Sequence, residues 1–164
     1  MKNVVQTFFL MVMLTAKIFA QTPAQTLPPF TFFKFDRTAF TANNLPAGKM
    51  LLFVFFDTDC SHCQHAMHYL SEHYPDFKKA AICLITLDNK EKVIAFMARY
   101  GTNLINQKNI TLLQDTHSEF LNKFRPRKYP SLFLYSAAGQ LLMYDDEEQN
   151  LYRFAQLIMK PLKK

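Results

Sequence analysis

Seven apolar residues stand in an unbroken row from Met50 to Phe56, Met-Leu-Leu-Phe-Val-Phe-Phe. Successive residues of a strand point to opposite faces, so a strand with no polar member has no side to offer water. Such a run belongs in the middle of a sheet covered on both faces, as in parallel α/β sheets. Immediately after it, from about Cys60 to Tyr74, the spacing of apolar residues changes to that of a helix, and Pro75 is expected to stop it. A buried strand handing over to a helix is the start of a β–α unit.

The rest of the chain repeats this alternation. Phe30–Asp36 reads as a strand and Thr41–Lys49 as a loop with Pro46 and Gly48. Ala80–Leu87 is a second buried strand. Asp88 with Glu91 fits a capping box for a helix with Val93, Phe96, Met97 and Tyr100 on one face and Gly101 as its stop. Ile110–Gln114 reads as a short strand, and Thr116 with Glu119 as a second capping box before a short helix carrying Phe120, Leu121 and Phe124. Leu132–Tyr135 and Gln140–Tyr144, joined by Ser-Ala-Ala-Gly, should pair as a hairpin. Leu151, Phe154, Ala155 and Ile158 form the stripe of a final helix ended by Pro161. The expected class is therefore α/β, a three-layer sandwich with a central mixed sheet and helices on both faces.

Composition narrows the class further. With 49% hydrophobic residues, 20% charged, 3 Gly and 8 Pro, the 164-residue chain is neither disordered nor fibrous. Three Cys are too few for a disulfide scaffold. The first twenty residues have a basic start at Lys2, a nearly continuous apolar stretch from Val4 to Leu14 and a small residue at Ala20. This is the pattern of a secretory signal peptide, and it is shorter than the roughly 20 apolar residues of a membrane span. Membrane association is expected only if that segment is retained. Residues 21–29, polar and Pro-rich, read as a linker, leaving 30–164 as a single domain. The formal charge is +6, but without Lys2 and Lys17 it is 17 basic against 13 acidic residues. No basic stripe with exposed aromatics points to nucleic acid.

The chemistry is carried by Asp57-Thr58-Asp59-Cys60-Ser61-His62-Cys63 at the strand-to-helix junction. A helix N-terminus presents unpaired N–H groups and partial positive charge, which stabilise a thiolate, and the thiolate is the nucleophile of disulfide exchange. At 100° per residue, Ala66, Met67, Leu70, Tyr74 and Phe77 fall within about 60° of Cys63, so Cys63 lies on the buried stripe. Cys60 sits in the first turn, where access is easier.

This strand–Cys-x-x-Cys–helix unit resembles the thioredoxin-like superfamily. Tyr129-Pro130, directly before the strand Ser-Leu-Phe-Leu-Tyr, matches the position of that superfamily's cis-proline landmark. With the exported leader, the chain is most similar to extracytoplasmic TlpA/ResA-type thiol–disulfide oxidoreductases, over roughly Phe30–Met159. The resemblance implies a thioredoxin-like fold. It makes Cys60 the attacking cysteine and Cys63 the resolving one, and gives the Tyr129 backbone a part in gripping a substrate chain beside cis-Pro130. Implied partners are protein thiols and disulfides and a redox partner. No cofactor or metal is implied, the protein is expected to be a monomer, and the location is periplasmic or secreted.

The chain also departs from that pattern. Asp59 stands where many relatives carry Trp, and the Ser61-His62 dipeptide lacks the common proline. Val54 and Ala66 occupy the two positions where relatives hold a buried acid. Asp57 and Asp59 oppose a thiolate at Cys60, whereas a protonated His62 favours one, and Arg125, Arg127 and Lys128 add positive charge before Pro130. Cys83, inside a buried strand, reads as an inert small hydrophobe. The acidic run Asp145–Glu148 reads as a solvated loop that favours the start of the last helix.

A rival reading is a thioredoxin-like copper or zinc metallochaperone using the same cysteines. His62, His65, His68 and His73 lie close by, with Met67, and His117 is the distant candidate. However, His65 diverges from Cys63 by about 160° around the helix. A peroxide-reducing relative is a further alternative, although those proteins usually lack a vicinal second cysteine.

Overall fold

A computed structural model describes residues 22–160, so the leader reading of residues 1–20 lies outside the described residues. Seven strands form one sheet: β1 (Thr31–Phe33), β2 (Ala39–Thr41), β3 (Leu51–Phe55), β4 (Ala81–Thr86), β5 (Ile110–Gln114), β6 (Ser131–Tyr135) and β7 (Leu141–Asp145). Their spatial order is β2-β1-β5-β4-β3-β6-β7. The pairs β3–β4 and β4–β5 are parallel, while β3–β6, β6–β7, β1–β5 and β1–β2 are antiparallel. The helices are α1 (Ser61–Glu72), α2 (Tyr74–Phe77), α3 (Lys90–Tyr100), α4 (Glu119–Phe124) and α5 (Leu151–Met159).

The apolar run explains the layering. Leu52, Val54 and Phe56 join the core under α1, α2, α3 and α5, whereas Leu51, Phe53 and Phe55 join the opposite core, with α4 and the β1–β2 hairpin. Because β3 is flanked by β4 and β6, every residue of it is buried. The second core is a Phe cluster: Phe30, Phe32, Phe53, Phe55, Phe120, Phe124 and Phe133 interlock with ring centroids 4.2–6.1 Å apart.

Several local expectations are corrected. Residues 22–29 are not a free linker. Ala24 donates its N–H to the Phe124 carbonyl (2.9 Å), Leu27 to Gly139 (2.8 Å), and Leu141 donates back to Gln25 (2.8 Å). An extended Pro-containing segment still has carbonyls and most of its N–H groups free to dock. A short β2, not expected from the sequence, falls between the expected strand and the expected loop and takes in the loop's first residue, Thr41. The first long helix ends at Glu72, and Pro75 occupies the first turn of the short α2, where its missing N–H costs nothing.

Neither expected capping box forms. Asn89, not Asp88, caps α3 by accepting from Lys92 N–H at 3.0 Å. Asp115, not Thr116, accepts from the N–H groups of Glu119 (2.9 Å) and Phe120 (2.7 Å). In each case the sequence offered neighbouring cap-type residues, and tertiary partners decided between them. The β6–β7 hairpin forms as expected, with Gly139 at φ 76°, a backbone conformation glycine adopts without strain.

Candidate active site at the end of the central strand

After Phe56 the chain must leave the sheet and start α1 within four residues, and four hydrogen bonds shape that turn. The Asp88 carboxylate accepts from both the N–H and the hydroxyl of Thr58, each at 2.9 Å. Asp57 accepts from Asp59 N–H at 2.8 Å, and the Cys60 N–H reaches the Asp57 carbonyl at 3.4 Å. Asp88 lies two residues past the end of β4, so it ties the turn to the segment that follows the neighbouring strand. Its Asp-x-x-Glu context pointed to a cap; only the fold places Thr58 beside it.

Cys60 is the N-cap of α1. The Cys63 N–H donates to its sulfur at 3.3 Å, so the sulfur occupies the place where a helix start offers unpaired donors. Cys60 is partly exposed and Cys63 fully buried. The Cys60 thiol also faces the Tyr129 carbonyl, 3.9 Å from sulfur to oxygen. The Tyr129–Pro130 peptide bond is cis, Pro130 is buried, and the Tyr129 ring packs on Phe55 at 4.8 Å. Thus Cys60, Cys63, Tyr129 and Pro130, separated by up to 70 positions, meet at the C-terminal end of β3. Ser61 is exposed on the first turn.

The two thiols have different environments. Burial pushes the Cys63 thiol well above the ordinary thiol range; a hydrogen bond from the Asp57 backbone pulls the other way and loses. Burial likewise raises Cys83 to about 12 and Tyr129 to about 12, the latter with help from the charge of Asp57. Alkylation of the reduced native protein with iodoacetamide at pH 8 is accordingly expected to label Cys60 and spare Cys63 and Cys83. All three should react once the protein is unfolded. Peptide masses report this, and labelling of Cys63 ahead of Cys60 would contradict the arrangement.

Several of the charged groups near the pair are held in ion pairs. Asp59 is bound by Lys92 at 2.7 Å, and Lys92 also stands 3.8 Å from Asp88. His62 Nδ1 lies 3.0 Å from Glu148 Oε1, and His65 Nδ1 lies 4.0 Å from the same oxygen. Arg127 pairs with Asp146 at 2.8 Å and Lys128 with Glu147. Arg127 also donates its backbone N–H to the Tyr144 hydroxyl at 3.0 Å, which in turn contacts Ser131 and Asp146. The run Asp145–Glu148 is therefore not simply solvated. It fastens the basic loop before Pro130 on one side and the first turn of α1 on the other. That role has no signature in the sequence, because charge complementarity between residues 19 and 86 positions apart is decided by topology.

His68 pairs with Glu72 at 3.3 Å, His73 stacks on Tyr69, and His117 meets Phe33 edge-on, so these histidines do not converge on the cysteines. Among the described residues no group of three or more His, Cys, Asp or Glu is arranged to hold a metal ion. Nor is any described helix long and apolar enough to cross a membrane. A groove of about 260 Å³, lined by Thr58, Asp59, Gln64, Lys92, Phe96 and Tyr100 among others, lies between the start of α1 and α3; Cys60 is not part of its lining.

The AhpC/TSA family model matches residues 23–143, most of the chain, including Cys60, Cys63, Tyr129 and Pro130. The chain belongs to the AhpC/TSA family. A comparison with curated proteins found no match. Among solved structures, this AhpC/TSA-family chain is similar to the thioredoxin domain of a thiol-disulfide oxidoreductase from Bacteroides vulgatus, with a TM-score of 0.67 and 20% identity over 85% of this chain and 99% of that one. It is also similar to a thiol-disulfide oxidoreductase from Bacteroides fragilis (TM-score 0.64, 18% identity, 80% and 98% covered). A thioredoxin-like protein from Aeropyrum pernix aligns with a TM-score of 0.65 at 14% identity, covering 79% of this chain and 89% of that one. Likeness at these identities establishes the fold, which is thioredoxin-like.

Proposed function

We propose that the protein is a thiol–disulfide oxidoreductase acting outside the cytoplasm on protein substrates through Cys60 and Cys63. The observation that carries this reading is the asymmetric pair at the start of α1, with Cys60 partly exposed, receiving the Cys63 N–H and facing the Tyr129 carbonyl. Family membership and the names of the structural neighbours support it. The leader pattern in residues 1–20 supports the location, an oxidising one in which such a pair has substrates.

In the proposed cycle the Cys60 thiolate attacks one sulfur of a substrate disulfide. The S–S bond breaks, the other substrate sulfur leaves as a thiolate that takes a proton, and a Cys60–substrate mixed disulfide forms. Cys63, having lost its proton, then attacks Cys60. The second substrate sulfur is released and protonated, and the Cys60–Cys63 disulfide is left. The substrate has gained two electrons and two protons and the pair has lost them; the reverse direction uses the same steps. Burial of Cys63 disfavours its thiolate until the mixed disulfide places a leaving group beside it, which keeps the first attack at Cys60. A backbone carbonyl at 3.9 Å from a partly exposed attacking sulfur suits an extended peptide chain better than an enclosed small molecule.

Equilibration with defined ratios of reduced and oxidised glutathione tests this. The expected result is a reversible two-electron transition between a dithiol and a Cys60–Cys63 disulfide, with Cys83 remaining a thiol. A pair that forms no reversible bridge would sink the reading. So would rapid peroxide turnover without any exchange with disulfides.

A further inference from the structure

Two separate ion pairs flank Cys60, and each engages a residue inside the Cys-x-x-Cys segment or next to it. Asp59, the residue before Cys60, is 78% exposed and would by itself oppose a thiolate, but Lys92 from α3 sits 2.7 Å from it. His62, between the cysteines, would by itself favour a thiolate when charged, but it is turned to Glu148, whose carboxylate is only 16% exposed. Glu148 reaches it from the turn at 148–150 before α5, next to the Lys128–Glu147 pair. The other titratable group on that side is His65, 4.0 Å from the same carboxylate. On the Lys92 side the facing groups are Asp59, Asp88 and Asp57.

Both partner residues come from distant segments and neither lies within the Cys-x-x-Cys segment. The geometry points to Lys92 and Glu148 as positioning residues that tune the Cys60 sulfur in opposite directions. Lys92 masks a negative charge that would disfavour the thiolate, and Glu148 masks a positive one that would favour it. The Cys63 N–H is then left as the main stabiliser of the Cys60 thiolate. This inference rests on the proposed exchange chemistry of Cys60. It adds a setting of reactivity from outside the motif.

The test is the rate at which neutral iodoacetamide alkylates Cys60 at pH 6.5, where Cys60 thiolate displaces iodide and the rate follows the thiolate population. Lys92→Met is expected to slow the reaction and Glu148→Gln to speed it, each by about two- to fivefold, the scale of exposed charge interactions. Asp59→Asn and His62→Gln should move the rate in the directions opposite to their partners' variants. The double variants Asp59→Asn/Lys92→Met and His62→Gln/Glu148→Gln should return to within about twofold of the parent. A merely structural role for Lys92 or Glu148 would not produce this sign pattern, and 1 M salt should shrink the differences. In the glutathione equilibrium the oxidation constant should rise in Lys92→Met and fall in Glu148→Gln. Rates that move together, that stay within 1.5-fold of the parent, or that fail to reverse in the double variants overturn the inference. A parent protein with no Cys60–Cys63 equilibrium would instead overturn the proposed function.

Discussion

Replacing Cys60 by serine is expected to abolish thiol–disulfide exchange, with a loss of about a thousandfold or more, while leaving the fold intact. Cys60 combines two roles that this substitution separates. As the N-cap of α1 its side chain accepts the Cys63 N–H. Serine is among the best residues for that task, so the helix keeps its cap and the melting temperature should change little. As the proposed nucleophile it supplies an ionisable, polarisable sulfur, and a hydroxyl cannot form the mixed disulfide. The complementary change, Cys63→Ala, keeps the attacking thiol and removes the one that resolves the intermediate. Mixed disulfides through Cys60 should therefore accumulate and be visible on non-reducing gels. Measuring insulin-disulfide reduction, thermal melting and trapped adducts together distinguishes the outcomes. Appreciable exchange in Cys60→Ser, or adducts formed through Cys63, would contradict the assigned roles.

The largest effect on stability is expected from Phe124→Ala. Phe124 is completely buried and its ring meets six other aromatic rings. These include Phe120, stacked at 4.2 Å, Phe53 at 5.4 Å, and Phe133 at 5.9 Å. Its backbone carbonyl also receives the Ala24 N–H. The six-residue α4 is too short to be helical without this packing. Removing the ring deletes apolar area and opens a cavity that stiff neighbouring rings cannot fill, at a cost of about 3–5 kcal/mol. Urea denaturation gives the value directly. Leu121→Ala, on the same helix but 37% exposed, serves as the control and should cost under about 1 kcal/mol. Equal losses for the two variants would mean that α4 does not bury its Phe face as described.

The sequence showed the β–α alternation because burial on both faces leaves a clear trace. Met50–Phe56 and Ala80–Leu87 have no polar residue on either side until their ends, and in the structure their strands pair in parallel at the sheet centre. The helical stripe ending at Phe77 placed Cys63 inward, and that is where it lies. Short elements were less legible. β2 has three residues, too few for a period to show. The helix caps were misplaced by one position because Asp88-Asn89 and Asp115-Thr116 offer adjacent candidates, and the choice was made by Thr58 in the first case and by burial of Asp115 in the second.

The site divides in the same way. The order of residues alone determined the chemistry available: two cysteines at a strand-to-helix junction, one outward and one inward, and a Tyr-Pro pair before a later strand. These are local patterns, and helix geometry converts spacing into direction without further information. Only the tertiary structure decided how the surrounding charges act. Read as a string, Asp57, Asp59, His62, Arg127 and Lys128 pull Cys60 in conflicting directions. Folded, Asp59 is held by Lys92, His62 by Glu148, Arg127 by Asp146 and Lys128 by Glu147. The reason is physical. Coulomb interactions depend on separation in space and on screening by solvent, and neither is encoded by distance along the chain.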